Sequence, residues 1–204
     1  MPRSDDPTRT FRAVAALSRP VVRHAFRLRA TGTEHLPRDG FVLCANHLSA
    51  LDAWALSMPL YPRQPRYMAK AELFRRPLRP LLSRIGLFPV RRGRCCATAI
   101  RTAIAHAQAG RVVVVFPEGS RRKKTGDAEM VPQPGAARVA LAAGVPLVPA
   151  AVAGTERLID APWRVAFGPL VELADLDGLP AREAAREATR RLWQRIELLQ
   201  EEVR

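Results

Sequence analysis

Four consecutive valines followed by a phenylalanine, residues 112–116, constrain the fold of this chain more than any other segment. The run does not alternate apolar and polar residues, so it predicts a central strand that is covered on both faces. Other strand signals alternate along the chain with segments whose spacing favours helices. We therefore predict an α/β fold with a mainly parallel or mixed central sheet flanked by helices. The predicted strands are 26–31, 41–45, 66–69, 87–90, 112–116, 147–152 and 164–167, and the predicted helices between them are 53–58, 77–85, 95–108 and 135–143.

Both ends of the chain are predicted to be helical. Residues 8–26 place apolar side chains opposite arginines, which indicates an amphipathic helix that is broken or restarted at Pro20. Near the C-terminus, apolar residues recur at spacings of three and four, which indicates one long helix with a single apolar stripe. A chain of 204 residues suits one packed domain. We predict a basic helical segment at 1–25 and a single domain at 26–204.

The charge of the chain predicts an anionic partner. The net charge is +14, and because lysine occurs only at Lys70, Lys123 and Lys124, nearly all of the positive charge is arginine. Guanidinium groups bind phosphates in a bidentate manner, so nucleic acid, an anionic membrane and phosphorylated substrates are candidate partners. Aromatic residues make up only 6% of the chain, and no nucleic-acid-binding motif is recognisable, so we predict no nucleic acid partner. A coding bias towards arginine explains part of the excess.

The sequence predicts a cytoplasmic protein without a membrane span. Arginines interrupt the apolar residues near the N-terminus, so a signal-peptide core is missing. The most apolar later stretch, residues 136–153, contains Arg138 and two prolines and cannot serve as a span of about 20 residues. Cys44, Cys95 and Cys96 form neither a disulfide framework nor a metal-ligand pattern. The basic amphipathic N-terminal helix suits a lipid interface, and packing on its own domain explains the pattern equally well.

His47 and Asp52 are the candidate catalytic residues. They stand five positions apart, directly after the apolar run at 40–45. On one continuous helix their side chains would point about 140° apart, so they can meet only if the backbone turns, as at a strand-to-helix junction. There, Asp52 could accept a hydrogen bond from one imidazole nitrogen and leave the other to take a proton from a hydroxyl. The alternative for His47 alone is a buried hydrogen bond without a chemical role.

Three further blocks follow this pair, at residues 86–92, 115–121 and 145–149. In this order, the four blocks resemble the signature motifs of the glycerolipid acyltransferase family, which includes the 1-acyl-glycerol-3-phosphate acyltransferases. The resemblance implies transfer of a fatty acyl group from a thioester to the free hydroxyl of 1-acyl-glycerol-3-phosphate, giving phosphatidic acid. It implies no metal and no bound cofactor, with acyl-CoA or acyl carrier protein as the co-substrate that donates the acyl group.

The resemblance also implies roles for charged residues. Arg92 matches the arginine of the second motif, and Lys70 resembles another basic position of the acceptor site, so both are expected to bind phosphate. Glu118 is expected to pair with an arginine and to accept a hydrogen bond from the glycerol hydroxyl. At Pro132 and Gln133, relatives commonly have an aromatic residue and a lysine. The substrate-binding residues predicted in this way are Lys70, Arg92, Glu118, Gly119, Ser120 and Arg121.

Acyl transfer also requires donors for the oxyanion, which backbone amides where the Asp52 helix starts, or in the Gly119 loop, could supply, although the sequence does not place them. The expected partners are a lysophospholipid substrate, an anionic membrane surface and acyl carrier protein, on the inner face of the cell membrane. One alternative keeps the chemistry and uses another lysophospholipid or a polar alcohol as acceptor. Another alternative, from a different class, is a non-catalytic basic module that binds membrane or nucleic acid.

Overall fold

The computed structural model describes residues 6–90, 97–119, 131–157 and 161–204. These residues alternate between strands and helices around one sheet, which confirms the predicted fold class. The strands are β1 (Arg29–Thr31), β2 (Phe41–Ala45), β3 (Arg66–Lys70), β4 (Leu87–Val90), β5 (Val112–Val115), β6 (Leu147–Ala153) and β7 (Arg164–Phe167). The helices are α1 (Arg9–Pro20), α2 (Asp52–Leu60), α3 (Leu78–Arg84), α4 (Ala97–Gln108), α5 (Gly135–Ala143) and α6 (Ala181–Glu202).

The sheet is mixed, with a parallel centre. Its strand order within the described residues is β1-β7-β6-β2-β5-β3-β4. The five strands from β6 to β4 in this order are parallel, whereas β7 runs antiparallel to β6 and pairs in parallel with β1. The carboxyl ends of the parallel strands therefore share one edge of the sheet. In open α/β sheets, ligands bind in the crevice at that edge.

The valines of β5 are buried on both faces of the sheet, as their pattern predicts. Val113 and Val115 belong to a core cluster with residues of α4, α5 and α6. Val112 and Val114 belong to the opposite cluster, together with residues of α2 and with Val22. The two layers of helices thus exclude water from both faces, which explains why no polar residue alternates along this strand.

The N-terminal helix packs on the domain along one face. Phe11 and Ala15 are buried, and the backbone amide of Thr8 donates to the side-chain oxygen of Gln64 at 2.9 Å. The Thr8 hydroxyl donates to the carbonyl oxygen of Arg84 at 2.6 Å. At Pro20 the regular α-helix ends and continues as a π-helical turn, Val21–Ala25, which fits the interruption predicted at the proline.

The first strand is shorter than predicted. It begins at Arg29 rather than at Phe26. Arg27 has a φ of 47°, in the left-handed region, and Phe26 still belongs to the end of the π-helical turn. Because the left-handed conformation interrupts an extended chain, the strand can start only after Arg27.

The predicted C-terminal helix is α6, whose apolar stripe packs on the sheet. Leu192 and Ile196 are buried in the same cluster as Val113, and Leu199 packs beside Ala151 of β6. None of the helices in the described residues combines the length and the apolar character that crossing a membrane requires.

Candidate active site

The junction between β2 and α2 brings His47 and Asp52 together. β2 ends at Ala45 and α2 begins at Asp52, so the chain turns between the two side chains. Nδ1 of His47 lies 2.7 Å from Oδ2 of Asp52. This turn is the geometry that the five-residue spacing requires. It lies at the carboxyl edge of the parallel strands, where a ligand crevice is expected.

The Asp52 carboxylate is fully buried and accepts hydrogen bonds on both oxygens. Besides His47, the backbone amides of Leu48 and Ser49 donate to Oδ2, at 2.7 and 2.9 Å. The hydroxyl of Thr155 donates to Oδ1. A buried charge is stable only where donors replace its water, so these four contacts favour the ionised carboxylate. An ionised carboxylate only accepts, so Nδ1 of His47 carries a hydrogen and Nε2 has a free lone pair.

The His47 ring is held by the end of β5. It stacks on Phe116 with the ring centroids 4.1 Å apart and the planes 15° from parallel. The backbone amide of His47 donates to Oε1 of Glu118 at 3.3 Å. The His47 side chain keeps 15% of its surface exposed, whereas Asp52 keeps none. The imidazole is therefore fixed in orientation and still reachable from outside.

Asn46 joins the dyad to β6. Its side-chain amide donates to the carbonyl oxygen of Val152 at 2.9 Å, and its side-chain oxygen accepts from the amide of Val152 at 2.8 Å. Asn46 is buried. This two-bond contact fixes the residue directly before His47 against the neighbouring strand. Sequence analysis found neither Asn46 nor Thr155.

Of the predicted substrate-binding residues, three are described. Glu118 and Gly119 follow β5. Glu118 lies beside His47, because its side chain accepts a hydrogen bond from the His47 amide. Lys70 is exposed at the carboxyl end of β3, which pairs with β5. The structure thus brings Lys70 to the same edge of the sheet as the dyad. The other predicted residues, Arg92, Ser120 and Arg121, lie outside the described residues.

Comparison with known proteins agrees with this arrangement. The sequence model of the family described as Acyltransferase matches residues 27–153, which include every residue of the site named so far except Thr155. The chain belongs to the acyltransferase family. Its sequence is 34% identical over 174 residues to the 1-acyl-sn-glycerol-3-phosphate acyltransferase of Bacillus subtilis (strain 168), covering 82% of this chain and 85% of that protein. The resemblance inferred from the four motifs is therefore confirmed.

The fold is similar to that of a crystallised relative. The crystal structure of the 1-acyl-sn-glycerophosphate (LPA) acyltransferase from Thermotoga maritima superposes with a TM-score of 0.68. The match covers 93% of this chain and 79% of that chain, at 21% sequence identity. The α/β architecture of this acyltransferase, including its central sheet, is thus the architecture of a solved relative.

Four of the backbone amides considered as oxyanion donors have acceptors within the protein. The amides of Leu48 and Ser49 donate to Asp52, and the amide of Asp52 donates to the carbonyl oxygen of Ser49 at 3.3 Å. The amide of Gly119 donates to the carbonyl oxygen of Phe116 at 3.0 Å. In this acyltransferase these four amides serve the turn and the carboxylate, and the donors for the thioester oxygen stay a prediction.

The loop that departs from the family pattern lies next to the site. The amide of Gln133 donates to the carbonyl oxygen of Pro117 at 2.8 Å, and a Cβ placed on Gly119 would lie 3.9 Å from Cγ of Gln133. Residues that replace an aromatic and a lysine are therefore neighbours of the third motif.

Other ionisable residues of this acyltransferase have structural contacts. Nδ1 of His35 lies 3.0 Å from the carbonyl oxygen of Phe167. Burial, with a smaller effect of Arg111, lowers the pKa of His106 to about 4, so this imidazole is neutral near pH 7. Burial raises the pKa of the Cys44 thiol well above its usual range, which makes it unreactive. Within the described residues, no group of three or more His, Cys, Asp or Glu side chains could hold a metal.

Proposed function

We propose that this protein transfers a fatty acyl group from an acyl thioester to the free hydroxyl of 1-acyl-glycerol-3-phosphate, which gives phosphatidic acid. The observation that carries the proposal is the 2.7 Å contact between Nδ1 of His47 and the buried carboxylate of Asp52. The acceptor follows from the relative in Bacillus subtilis, whose name specifies 1-acyl-sn-glycerol-3-phosphate.

In the proposed reaction His47 is the general base. Its Nε2 takes the proton of the acceptor hydroxyl while the hydroxyl oxygen attacks the thioester carbonyl and forms the new C–O bond. Asp52 holds the imidazole in the required tautomer and stabilises the imidazolium. When the tetrahedral intermediate collapses, the C–S bond breaks and the imidazolium returns the proton to the sulfur. General-base catalysis of this kind contributes typically about 10²–10⁴-fold to the rate.

The acceptor phosphate requires fixed positive charge. We assign this role to Lys70 at the end of β3 and to Arg92 and Arg121 of the second and third motifs. Glu118 would repel a phosphate, so we assign it to the glycerol hydroxyl, in addition to its contact with the His47 amide. Gly119 and Ser120 complete the proposed acceptor loop, with Gly119 allowing close approach of the backbone.

The acyl donor in this proposal is acyl-CoA or acyl carrier protein, and no cofactor is bound. Both donors are anionic, and the net charge of +14 favours the approach of either one. The chemistry itself involves the thioester, the hydroxyl and the dyad alone, so no step calls for an electron carrier or a metal.

We further propose that the protein lies on the inner face of the cell membrane through its first 25 residues, with 26–204 as the catalytic domain. α1 contacts α3, and exposed apolar side chains occur on both helices. Beside α1 lies an open groove of about 620 Å³ to which Arg19, Arg23 and His24 contribute and to which, among the described residues, no acidic side chain contributes. Exposed apolar residues beside cations suit an anionic lipid surface. The exposed apolar residues of these two helices and the adjoining π-helical turn are Val14, Leu17, Val21, Leu78 and Leu81.

A second acceptor is supported by one observation. Gln133, next to Gly119, stands where relatives commonly have lysine. The loss of one positive charge beside the third motif lowers the expected preference for a phosphorylated acceptor. The same chemistry on another lysophospholipid or on a polar alcohol is therefore the alternative. Membership in the acyltransferase family argues against a non-catalytic basic module.

The test is a panel of lysolipids assayed with acyl-CoA and with acyl carrier protein thioesters, with products identified by mass. We expect the largest kcat/KM for 1-acyl-glycerol-3-phosphate. His47→Ala should lower kcat by about 100-fold or more, because it removes the base. His24→Ala is the matched control, because this exposed histidine lies in the groove, and it should keep its turnover on a soluble short-chain acceptor. Wild-type turnover in the His47→Ala variant would contradict the proposal.

A further inference from the structure

Thr155 contacts the dyad from a distant part of the chain. It follows β6 and is 1% exposed, and its hydroxyl donates to Oδ1 of Asp52. His47 uses the other oxygen, Oδ2. Each oxygen of the carboxylate therefore has its own side-chain donor, and together the two donors fix the plane of the carboxylate as well as its position.

The backbone that carries Thr155 is fixed on both sides. Val152 exchanges two hydrogen bonds with the side chain of Asn46, the residue before His47. Gly154 has a φ of +82°, and a Cβ at this position would lie 2.5 Å from the carbonyl oxygen of Pro162. A residue with a side chain is strained there, so glycine allows the sharp turn that directs Thr155 to Asp52. The same turn is thus attached to both ends of the dyad segment.

We propose that Thr155 is a positioning residue that holds the Asp52 carboxylate in the plane and the ionised state that His47 requires. The proposal rests on the role of His47 as the base. It goes beyond the four motifs, because Thr155 lies 103 positions from Asp52 and outside the segment matched by the family model. The opposing explanation is a threonine that only satisfies its own hydroxyl, as Thr189 does by donating to the carbonyl oxygen of Ala185 within α6.

The proposal has a consequence for the pH dependence of the reaction. The hydroxyl directs its positive end at the carboxylate and so opposes binding of an additional proton by the His47–Asp52 pair. This holds whichever of the two groups takes the proton, because the pair titrates as a unit. Without the hydroxyl the pair binds a proton at higher pH. The base is then lost earlier on acidification, and the acidic limb of the kcat profile moves to higher pH.

Other ionisable groups near the pair are the same in the compared variants. Glu118 accepts from the His47 amide, and Tyr67 of β3 donates to the carbonyl oxygen of Ala53 in α2. Burial raises the pKa of Tyr67 well above its usual range, so its hydroxyl stays neutral during the assay. Glu156 and Arg157 are exposed in the turn after Thr155. A change in the acidic limb on substitution of Thr155 therefore reports the missing hydroxyl.

The experiment compares Thr155→Val, Thr155→Ser and the wild type, with Thr189→Val as the matched control for loss of a buried hydroxyl. kcat and KM are measured from pH 5 to pH 9 with acyl-CoA and a short-chain 1-acyl-glycerol-3-phosphate. For Thr155→Val we expect a kcat about 10-fold lower at pH 7 and an acidic limb moved up by about one pH unit, with KM within about twofold. Thr155→Ser keeps the hydroxyl, so its kcat and its acidic limb should be those of the wild type. Thr189→Val should also keep the wild-type acidic limb.

An acidic limb of Thr155→Val that superposes on that of the wild type would overturn the inference, as would an equal movement in Thr189→Val. If circular dichroism shows that Thr155→Val is unfolded, Thr155→Cys replaces it. Its thiol is a weaker donor, and we expect an intermediate movement. His47→Ala separates the two proposals. Activity retained in that variant would contradict the proposed function. An inactive His47→Ala together with an unchanged acidic limb in Thr155→Val would contradict only the role of Thr155.

Discussion

The carboxylate of Asp52 illustrates how single residues are prepared for chemistry in this protein. It lies without solvent exposure and accepts from two backbone amides, one imidazole and one hydroxyl. Burying a carboxylate without such donors is costly, because nothing replaces its hydration. With them it stays charged and determines which nitrogen of His47 carries the hydrogen. The protein then needs no nucleophile of its own, because the acceptor supplies the hydroxyl.

The assignment of Lys70 to phosphate can be tested at the same scale. Lys70→Met keeps most of the stem and removes the charge, so KM for 1-acyl-glycerol-3-phosphate should rise about 10-fold, while kinetics with an unphosphorylated lysolipid stay unchanged. Arg138→Met, at an exposed cation of α5, is the control and should change neither acceptor. Equal losses of kcat/KM on both acceptors would show that Lys70 does not contact phosphate.

Local spacing was enough to predict the dyad and insufficient to predict its support. His47 and Asp52 are five positions apart, and one turn of backbone decides whether they meet. Thr155 follows the neighbouring strand β6, 103 positions from Asp52, and no pattern around it differs from that of an ordinary turn. A hydrogen bond between such distant positions depends on strand order, and the order of seven strands cannot be read from one sequence.

At the scale of elements, α1 and the π-helical turn that follows it carry apolar residues on more than one face. Phe11, Ala15 and Val22 are buried against the domain, whereas Leu17 is 79% exposed and Val21 45% exposed. The periodicity of residues 8–26 predicted the helix and its interruption at Pro20. It could not distinguish packing from lipid binding, because both require an apolar face. The helix packs along one face, and the exposed residues are the proposed lipid contact.

Charged substitutions at these exposed positions test the lipid contact. Leu17→Glu combined with Val21→Glu should lower binding to vesicles that contain phosphatidylglycerol by about 10-fold or more. The carboxylates are repelled by the anionic head groups, and the apolar side chains that would be buried in the lipid are lost. Co-sedimentation measures the binding. Turnover on a soluble short-chain acceptor should be unchanged. Leu198→Glu, at another exposed leucine on α6, should leave vesicle binding intact. Undiminished binding of the double variant would make the exposed face of α1 unrelated to lipid.

At the scale of the whole molecule, five parallel strands direct their carboxyl ends to one edge, and the dyad, Lys70 and Glu118 come from three of them or from the segments that follow. This much follows from strand-helix alternation, since parallel strands connected through helices must end on the same side. His106 is half-buried on α4, and this burial destabilises the folded protein at acidic pH. The pKa of this imidazole is about 4 in the folded protein, against an ordinary value of 6.5.

The stability of the molecule should therefore fall between pH 6.5 and pH 4. In that interval the unfolded chain binds a proton at His106 that the folded protein does not, so the free energy of unfolding decreases as the pH decreases. Above about pH 6.5 this contribution is complete. His106→Gln keeps an acceptor for Arg111 and removes the titration. Thermal melts should show that the Tm of the wild type falls by a few degrees more between pH 7 and pH 5 than the Tm of this variant. Equal decreases in Tm would contradict the assignment.

The two hydrogen bonds between Asn46 and Val152 join positions that are 106 residues apart. A nascent polypeptide that has emerged only as far as α5 already contains the imidazole and its carboxylate, yet it lacks the strand that secures them. Turnover must accordingly await completion of the sheet. In refolding, acyl transfer should then recover later than the helical circular dichroism signal. The recovered activity therefore reports when the last strands have joined the sheet.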